Sequence, residues 1–198
     1  MKPKVSGLLI TAGLSGRMGE FKPLMLYDDL PFVVNIIIKL LSVCDQVVVV
    51  TGYRRNEIEN TIQKAFESDN LLSRIKMIFN PDYEKGMFTS LQIGVKQLTN
   101  AEWILYHFVD QPFHPIKFYE DLIYQIDNNY DWVQPRYDSA EGHPVLFKKT
   151  LFEKIILSPS EFWLKFIRDD GITKRKNWET EYPHILKDFD TKDDLKKI

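Results

Sequence analysis

The stretch Leu9 to Leu24, LITAGLSGRMGEFKPL, decides how this chain is read. It opens on the end of an apolar run, Val5 to Ile10, that reads as a strand buried on both faces. The run then gives way to a loop carrying Gly13, Gly16 and Gly19, with Arg17 and Lys22 among them and Pro23 closing it. Glycine lets the backbone turn sharply and approach a ligand closely. Successive N–H groups in such a turn form a concave anion site. Arg17 would meet a phosphate with a planar fork and Lys22 with a compact charge. The loop therefore reads as a grip on a nucleoside triphosphate, with the rest of the chain setting a second substrate against it. Its spacing, G-x-x-G-x-x-G, is not the G-x-G-x-x-G of a dinucleotide fold, and no G-K-[ST] follows as a P-loop requires. A hydride-transferring oxidoreductase and a P-loop enzyme thereby lose their main support.

Strands and helices alternate outward from this loop. Asp28-Asp29 marks the tip of a short turn or hairpin, and Pro31 starts a helix where its missing N–H is not needed. Gln46 to Thr51, QVVVVT, is a strand ended by Gly52, and the spacing of Ile58, Ile62 and Phe66 predicts an amphipathic helix from Arg54 to Phe66. Ile75 to Phe79 is a strand stopped by Asn80-Pro81, followed by a helix from Gly86 to Leu98. Trp103 to Val109 is a strand ending at Asp110, with a helix beginning near Pro115. Strands are expected over Asp131 to Gln134 and Pro144 to Phe147, with Pro135 to Gly142 a loop between them. Helices are expected over Lys148 to Leu157, over Ser160 to Arg168, and after Thr191. The polar segment Lys174 to Tyr182 resists assignment.

This alternation predicts an α/β fold with a mainly parallel sheet, in a single domain spanning residues 1–198. In such sheets ligands sit at the carboxyl ends of the strands. The Gly-rich loop, Gly52, Asn80 and Asp110 all fall at such ends.

Bulk properties set the outer limits. The 198 residues suffice for one sizeable core, and 44% hydrophobic with 27% charged residues is ordinary for a globular protein. A formal net charge of −2 implies no general affinity for nucleic acid or anionic membrane. One cysteine, Cys44, allows no intrachain disulfide and suits a reducing cytoplasm. The segment MKPKVSG lacks the long apolar core of a signal peptide, and no run approaches the roughly 20 apolar residues of a membrane span.

The loop closely resembles the signature of the MobA-like nucleotidyltransferases, L-x-A-G-x-S-x-R-M-G-x-x-K-x-L. Ala12, Gly13, Ser15, Arg17, Met18, Gly19, Lys22 and Leu24 all fit it. The resemblance implies a three-layer Rossmann-like domain with a mainly parallel, mixed sheet, and transfer of a nucleoside monophosphate from a triphosphate to a phosphate acceptor. It implies that the loop amides, Arg17 and Lys22 grip the triphosphate. Asp110-Gln111-Pro112 resembles the family's D-Q-P, whose aspartate is a metal ligand. Asp188-Phe189-Asp190-Thr191 resembles its D-I-D-T-P-E-D-L, which makes Asp190 the second carboxylate on a shared Mg²⁺. Here Lys192 stands where the family often has proline. Thr51-Gly52-Tyr53 and Asn80-Pro81 with Gly86-Met87-Phe88-Thr89-Ser90 match segments that face the nucleotide, so Gly52, Asn80 and Ser90 join its candidate ligands. Gly142-His143-Pro144-Val145-Leu146-Phe147 resembles the G-H-P-V-L-F of the molybdenum cofactor cytidylyltransferase branch and implies that His143 touches the acceptor. His107, His114 and His184 show no ligand spacing.

The implied reaction is attack of an acceptor phosphate oxygen on the α-phosphorus of the triphosphate, releasing pyrophosphate. It calls for positioning and charge neutralisation rather than a protein nucleophile, so Arg17, Lys22 and Asp110 form the candidate catalytic set. The start Thr11-Ala12-Gly13 is similar to the cytidylyl branch, whereas the guanylyl branch typically reads L-A-G-G. The expected substrates are therefore CTP and molybdopterin, with a molybdenum hydroxylase as a possible recipient of the product. Two other readings stay open. In one the same chemistry acts on a sugar phosphate, an alditol phosphate or phosphocholine. In the other the chain is a non-catalytic nucleotide-binding chaperone for the molybdenum cofactor.

Overall fold

Val5–Ile10 (β1) is buried at every position, as its unbroken apolar run requires. The computed structural model describes residues 3–13, 21–68 and 70–189. The expectations for Ser15, Arg17, Asp190 and the helix after Thr191 lie outside the described residues. After the loop, Leu26–Tyr27 (β2) and Leu30–Pro31 (β3) form a small hairpin with Asp28 and Asp29 at positive φ in its tip. Phe32–Val43 (α1) follows directly. Then come Gln46–Thr51 (β4), Arg55–Phe66 (α2), Ile75–Phe79 (β5) and Met87–Gln97 (α3). Trp103–Phe108 (β6) leads to Ile116–Tyr124 (α4), Trp132–Tyr137 (β7), Ala140–Glu141 (β8) and Val145–Lys148 (β9). Phe152–Leu157 (α5), Leu164–Arg168 (α6) and Arg175–Glu179 (β10) complete the elements.

The main sheet has the order β10-β7-β9-β6-β1-β4-β5, with β8 attached to β7. β1 pairs in parallel with both β4 and β6, β4 with β5, and β10 with β7. β9 runs antiparallel between β6 and β7. The sheet is thus mixed and mainly parallel, as read from the sequence. The registers Ile10↔Val50 and Ile10↔Phe108 bring the carboxyl ends of β1, β4 and β6 level. Every loop that leaves those ends emerges on one edge of the sheet.

Alternation along the strands sorts side chains to two faces. Leu9, Val47, Val49 and Leu105 pack against α1, α2 and α4, through Ile36, Leu40, Ile58, Ile62, Phe118 and Leu122. Leu8, Ile10, Val48, Ile104 and Tyr106 pack against α3 and α5, through Leu91, Val95, Phe152 and Ile155. The result is three layers with helices on both sides of the sheet. Gly94 lets α3 lie close against β1: a Cβ there would stand 2.3 Å from Leu8 Cδ1.

Three segments depart from the sequence reading. Pro135 to Gly142 is not a loop but the end of β7 hairpinned to β8. Proline is accepted inside β7 because β9 pairs with it only through Trp132 and Val133, while the Pro135 carbonyl still accepts the Gly142 N–H at 3.0 Å. Ser160 to Arg168 is helical only from Leu164, since Phe162 turns back through a 3.0 Å hydrogen bond to the Pro159 carbonyl and Trp163 is extended. Lys174 to Tyr182 contains β10, an edge strand. Its polar composition hid it, and an edge strand tolerates such residues because one flank faces water. Arg168 and Arg175 both reach the Glu141 carboxylate and pin β10 to the hairpin.

Candidate active site

A cleft of about 440 Å³ opens at the carboxyl ends of β1 and β6. Ala12, Gly13, Lys22, Ser90, Asp110 and His143, all singled out in the sequence, line it together. Thr11, Tyr83, Met87, Phe108 and Asp188 also line it and were given no role from the sequence. Among these, Asp188 carried a readable signal. It is the first carboxylate of the same D-F-D pair from which only Asp190 was chosen.

The floor is built by the strand ends. The Thr11 N–H and hydroxyl both donate to the Val50 carbonyl, at 3.0 and 2.9 Å, and so hold the start of the Gly-rich loop against β4. Gly52 sits behind this floor. A Cβ there would come within 2.7 Å of Tyr83 Cβ and 2.8 Å of the Ala12 carbonyl oxygen. Only glycine permits this close approach of three segments.

Asn80 also lies behind the lining and is fully buried. Its amide donates to Thr89 Oγ1 and Ser90 Oγ, both at 2.8 Å, and its carbonyl accepts the Asp82 N–H at 2.9 Å. It ties the end of β5 to the first turn of α3 and sets where Ser90 meets the cleft. Gly52 and Asn80 thus stand one layer back from the cleft wall, while Ser90 reaches it.

Lys22 begins a 3₁₀ turn, Lys22–Leu24, fixed by Pro23 in its first positions. Its Nζ lies 3.5 Å from Asp110 Oδ2 across the cleft. Burial raises the Asp110 pKa above the ordinary carboxylate value; the Lys22 charge opposes that shift, and the Asp188 charge adds to it. The cleft therefore holds a partly desolvated anion that a second positive charge would stabilise.

Asp188 is brought there by the C-terminal segment. Phe189 is fully buried between Phe32 and Phe113, with ring centroids 5.1 and 6.3 Å away. Its N–H donates to the Asp110 carbonyl at 2.9 Å. The Gln111 amide donates to Asp188 Oδ1 at 2.7 Å, while Gln111 Oε1 is buried without a partner among the described residues. Oxygen donors from two distant parts of the chain thus meet beside Lys22. This donor set fits a hard cation, which takes one or two carboxylates and completes its shell with phosphate oxygens and water. Among the described residues no cluster of three or more His, Cys, Asp or Glu side chains offers a fuller cage.

On the opposite wall, the His143 ring packs on Phe108, with centroids 4.7 Å apart. The His143 backbone N–H donates to the Ile185 carbonyl at 3.0 Å, and the His143–Pro144 peptide is cis. Burial, with Arg168 nearby, lowers the His143 pKa to about 4. The imidazole is neutral near pH 7 and offers the cleft a hydrogen-bonding group rather than a cation. His107 is sealed elsewhere, bonded to Tyr119 Oη at 2.9 Å and to the Phe108 carbonyl at 2.7 Å. His114 is buried beside it.

Residues 7–161 match the MobA-like NTP transferase domain. The chain belongs to this family. It is a nucleotidyltransferase with a Rossmann-like α/β fold. It is 28% identical to the molybdenum cofactor cytidylyltransferase of Escherichia coli K12, over 95% of this chain and 92% of that protein. It is 26% identical to a molybdenum cofactor guanylyltransferase of Haemophilus influenzae, over 98% and 96% of the two chains. The fold is shared with Rv0371C of Mycobacterium tuberculosis H37Rv, solved as a manganese complex, at a TM-score of 0.76 and 18% identity, covering 98% and 97% of the chains. Among the described residues of this nucleotidyltransferase no helix is long and apolar enough to cross a membrane.

Proposed function

We propose that this nucleotidyltransferase moves CMP from CTP onto the terminal phosphate of molybdopterin, releasing pyrophosphate. The observation that carries the reading is the convergence of Lys22, Asp110 and Asp188 at the strand ends, in a cleft that begins at the Gly-rich loop. The resemblance of the loop to the cytidylyl branch, together with the relative at 28% identity, supports CTP over GTP.

In this reading the loop amides of Ala12 and Gly13, with Ser15, Arg17 and Lys22, bind the triphosphate, and Ser90 meets the nucleotide. Gly52 and Asn80 act through the neighbours they position. Asp110, with Asp188 or Asp190 as second carboxylate, would hold Mg²⁺. When bound, that ion supplies Lewis-acid polarisation and charge neutralisation at the phosphates. Lys22 stabilises negative charge as the bond from the α-phosphorus to the leaving pyrophosphate breaks and the bond to the acceptor oxygen forms. Arg17 shares that work from within the loop. Neutral His143 orients the acceptor phosphate by hydrogen bonding. No side chain becomes covalently attached.

The reading includes a single domain over residues 1–198, a cytoplasmic setting suited to a chain whose single cysteine, Cys44, is buried, and delivery of the product to a molybdenum hydroxylase. The test is pyrophosphate release with CTP, GTP and UTP against molybdopterin, a sugar phosphate, an alditol phosphate and phosphocholine. Release confined to CTP with molybdopterin upholds the proposal. Preference for GTP, or for a non-aromatic acceptor, overturns its substrate assignment. CTP binding without Mg²⁺-dependent release overturns the reaction.

A further inference from the structure

A second cavity, about 210 Å³, lies between the start of α3 and the segment that enters α6. Met87 lines both this cavity and the catalytic cleft, so the two adjoin at its side chain. Its walls include Phe88, Tyr106, Phe162 and Trp163. The Phe88 and Phe162 rings stand 6.5 Å apart and tilted. Trp163 is 62% exposed and Met87 51%, a large apolar surface left to water beside a working site. Lys165 Nζ sits 5.5 Å from the centroids of both Trp163 and Phe166. That cation helps to fix the Trp163 ring.

Tyr106 supplies the observation that points to a ligand. It is 2% exposed, yet its hydroxyl makes no hydrogen bond among the described residues. A buried tyrosine hydroxyl ordinarily finds a partner. The hydroxyl is not among the sealed, unpartnered polar atoms either, so the cavity that Tyr106 lines is what it can reach. Ser160 and Glu161 add further polar groups to the same lining.

We infer that this cavity binds the ring system of the acceptor: a flat, fused heteroaromatic of the pterin type, its phosphate arm passing Met87 into the cleft. Such a ring has two apolar faces and an edge of donors and acceptors. The aromatic walls match the faces, and Tyr106 Oη with the Ser160–Glu161 pair matches the edge. The inference rests on the acceptor reading above and names the residues that would select that acceptor.

The test uses 6-hydroxymethylpterin, a ring without the phosphate arm, followed by its own fluorescence anisotropy on the full chain. Saturable binding is expected. Trp163→Ala should weaken it about tenfold through loss of a stacking face. Tyr106→Phe, which keeps the packing ring, should weaken it about fivefold through loss of one hydrogen bond. CTP affinity should be unchanged in both. No binding to the wild-type chain, or binding unaltered in both variants, overturns the assignment. Pyrophosphate release with a pterin phosphate whose KM is unaltered in both variants overturns the ring site and leaves the reaction standing. Pterin binding that is weakened in both variants, with no release by the wild type, upholds the ring site and overturns the reaction.

Discussion

The Gln111 side-chain amide donates to the Asp188 carboxylate at 2.7 Å. One residue further on, the Phe189 N–H donates to the Asp110 carbonyl at 2.9 Å. These two bonds lash the C-terminal segment to the loop that carries Asp110. Together with the packing of Phe189 on Phe32 and Phe113, they hold the two carboxylates near each other against their mutual repulsion.

Gln111 is therefore expected to act as a positioning residue for the metal. Gln111→Ala should weaken Mn²⁺ binding in the presence of a non-hydrolysable CTP analogue by roughly 10-fold or more, the usual effect of losing a partner that orients a ligand. The thermal midpoint should change little. Titration calorimetry measures the first and a melting curve the second. Unchanged Mn²⁺ affinity would remove the positioning role.

Lys22 faces the other side of Asp110 at 3.5 Å. Lys22→Ala should lower kcat about 100-fold to 1,000-fold, the range seen when one preorganised charge-stabilising group is removed. Lys22→Arg should recover part of it. Steady-state pyrophosphate release checks both. A Lys22→Ala variant with unchanged kcat would place the chemistry elsewhere.

The folded chain keeps buried histidines neutral. Burial lowers His107 to about 3, His143 to about 4, and His114 well below its ordinary value. An unfolded histidine titrates near 6.5. Between these values the unfolded chain binds more protons, so stability falls as pH drops below about 6.5. Each such histidine steepens the fall by up to about 1.4 kcal/mol per pH unit until its own folded pKa is reached. Urea unfolding at about pH 7 and about pH 5 should show the loss, and His143→Gln should make it smaller. Equal stability at the two values would show that these histidines are not held neutral.

Gly52→Ala should destabilise the fold by about 1–3 kcal/mol through overpacking. Its methyl would meet Tyr83 Cβ at 2.7 Å and the Ala12 carbonyl oxygen at 2.8 Å. Because Ala12 begins the nucleotide loop, the KM for the triphosphate should rise as well. Denaturant unfolding and kinetics read the two effects separately. Wild-type stability in the alanine variant would contradict the close approach.

Much of this was legible in the residues, for reasons that differ from place to place. β1 and β4 could be read directly, because strands buried on both faces leave unbroken apolar runs. Gly52, Asn80 and Asp110 could be placed at strand ends because turn residues punctuate each run. β10 could not be read, since its residues, RKNWE, carry no apolar signature. The cleft role of Asp188 was hidden by its neighbour Asp190, because spacing alone does not say which of two alternate carboxylates faces a site. The layer behind the lining was also out of reach. Gly52 and Asn80 look like ligand contacts in a motif, and only the packing reveals Tyr83, Thr89 and Ser90 around them.

The most direct test of the central claim is Mg²⁺-dependent pyrophosphate release from CTP in the presence of molybdopterin, for the wild-type chain and Asp110→Asn. The account predicts one pyrophosphate per CMP transferred, and loss of that release in Asp110→Asn with the fold intact. Release unchanged in Asp110→Asn, or no release from any nucleoside triphosphate by the wild-type chain, would contradict it.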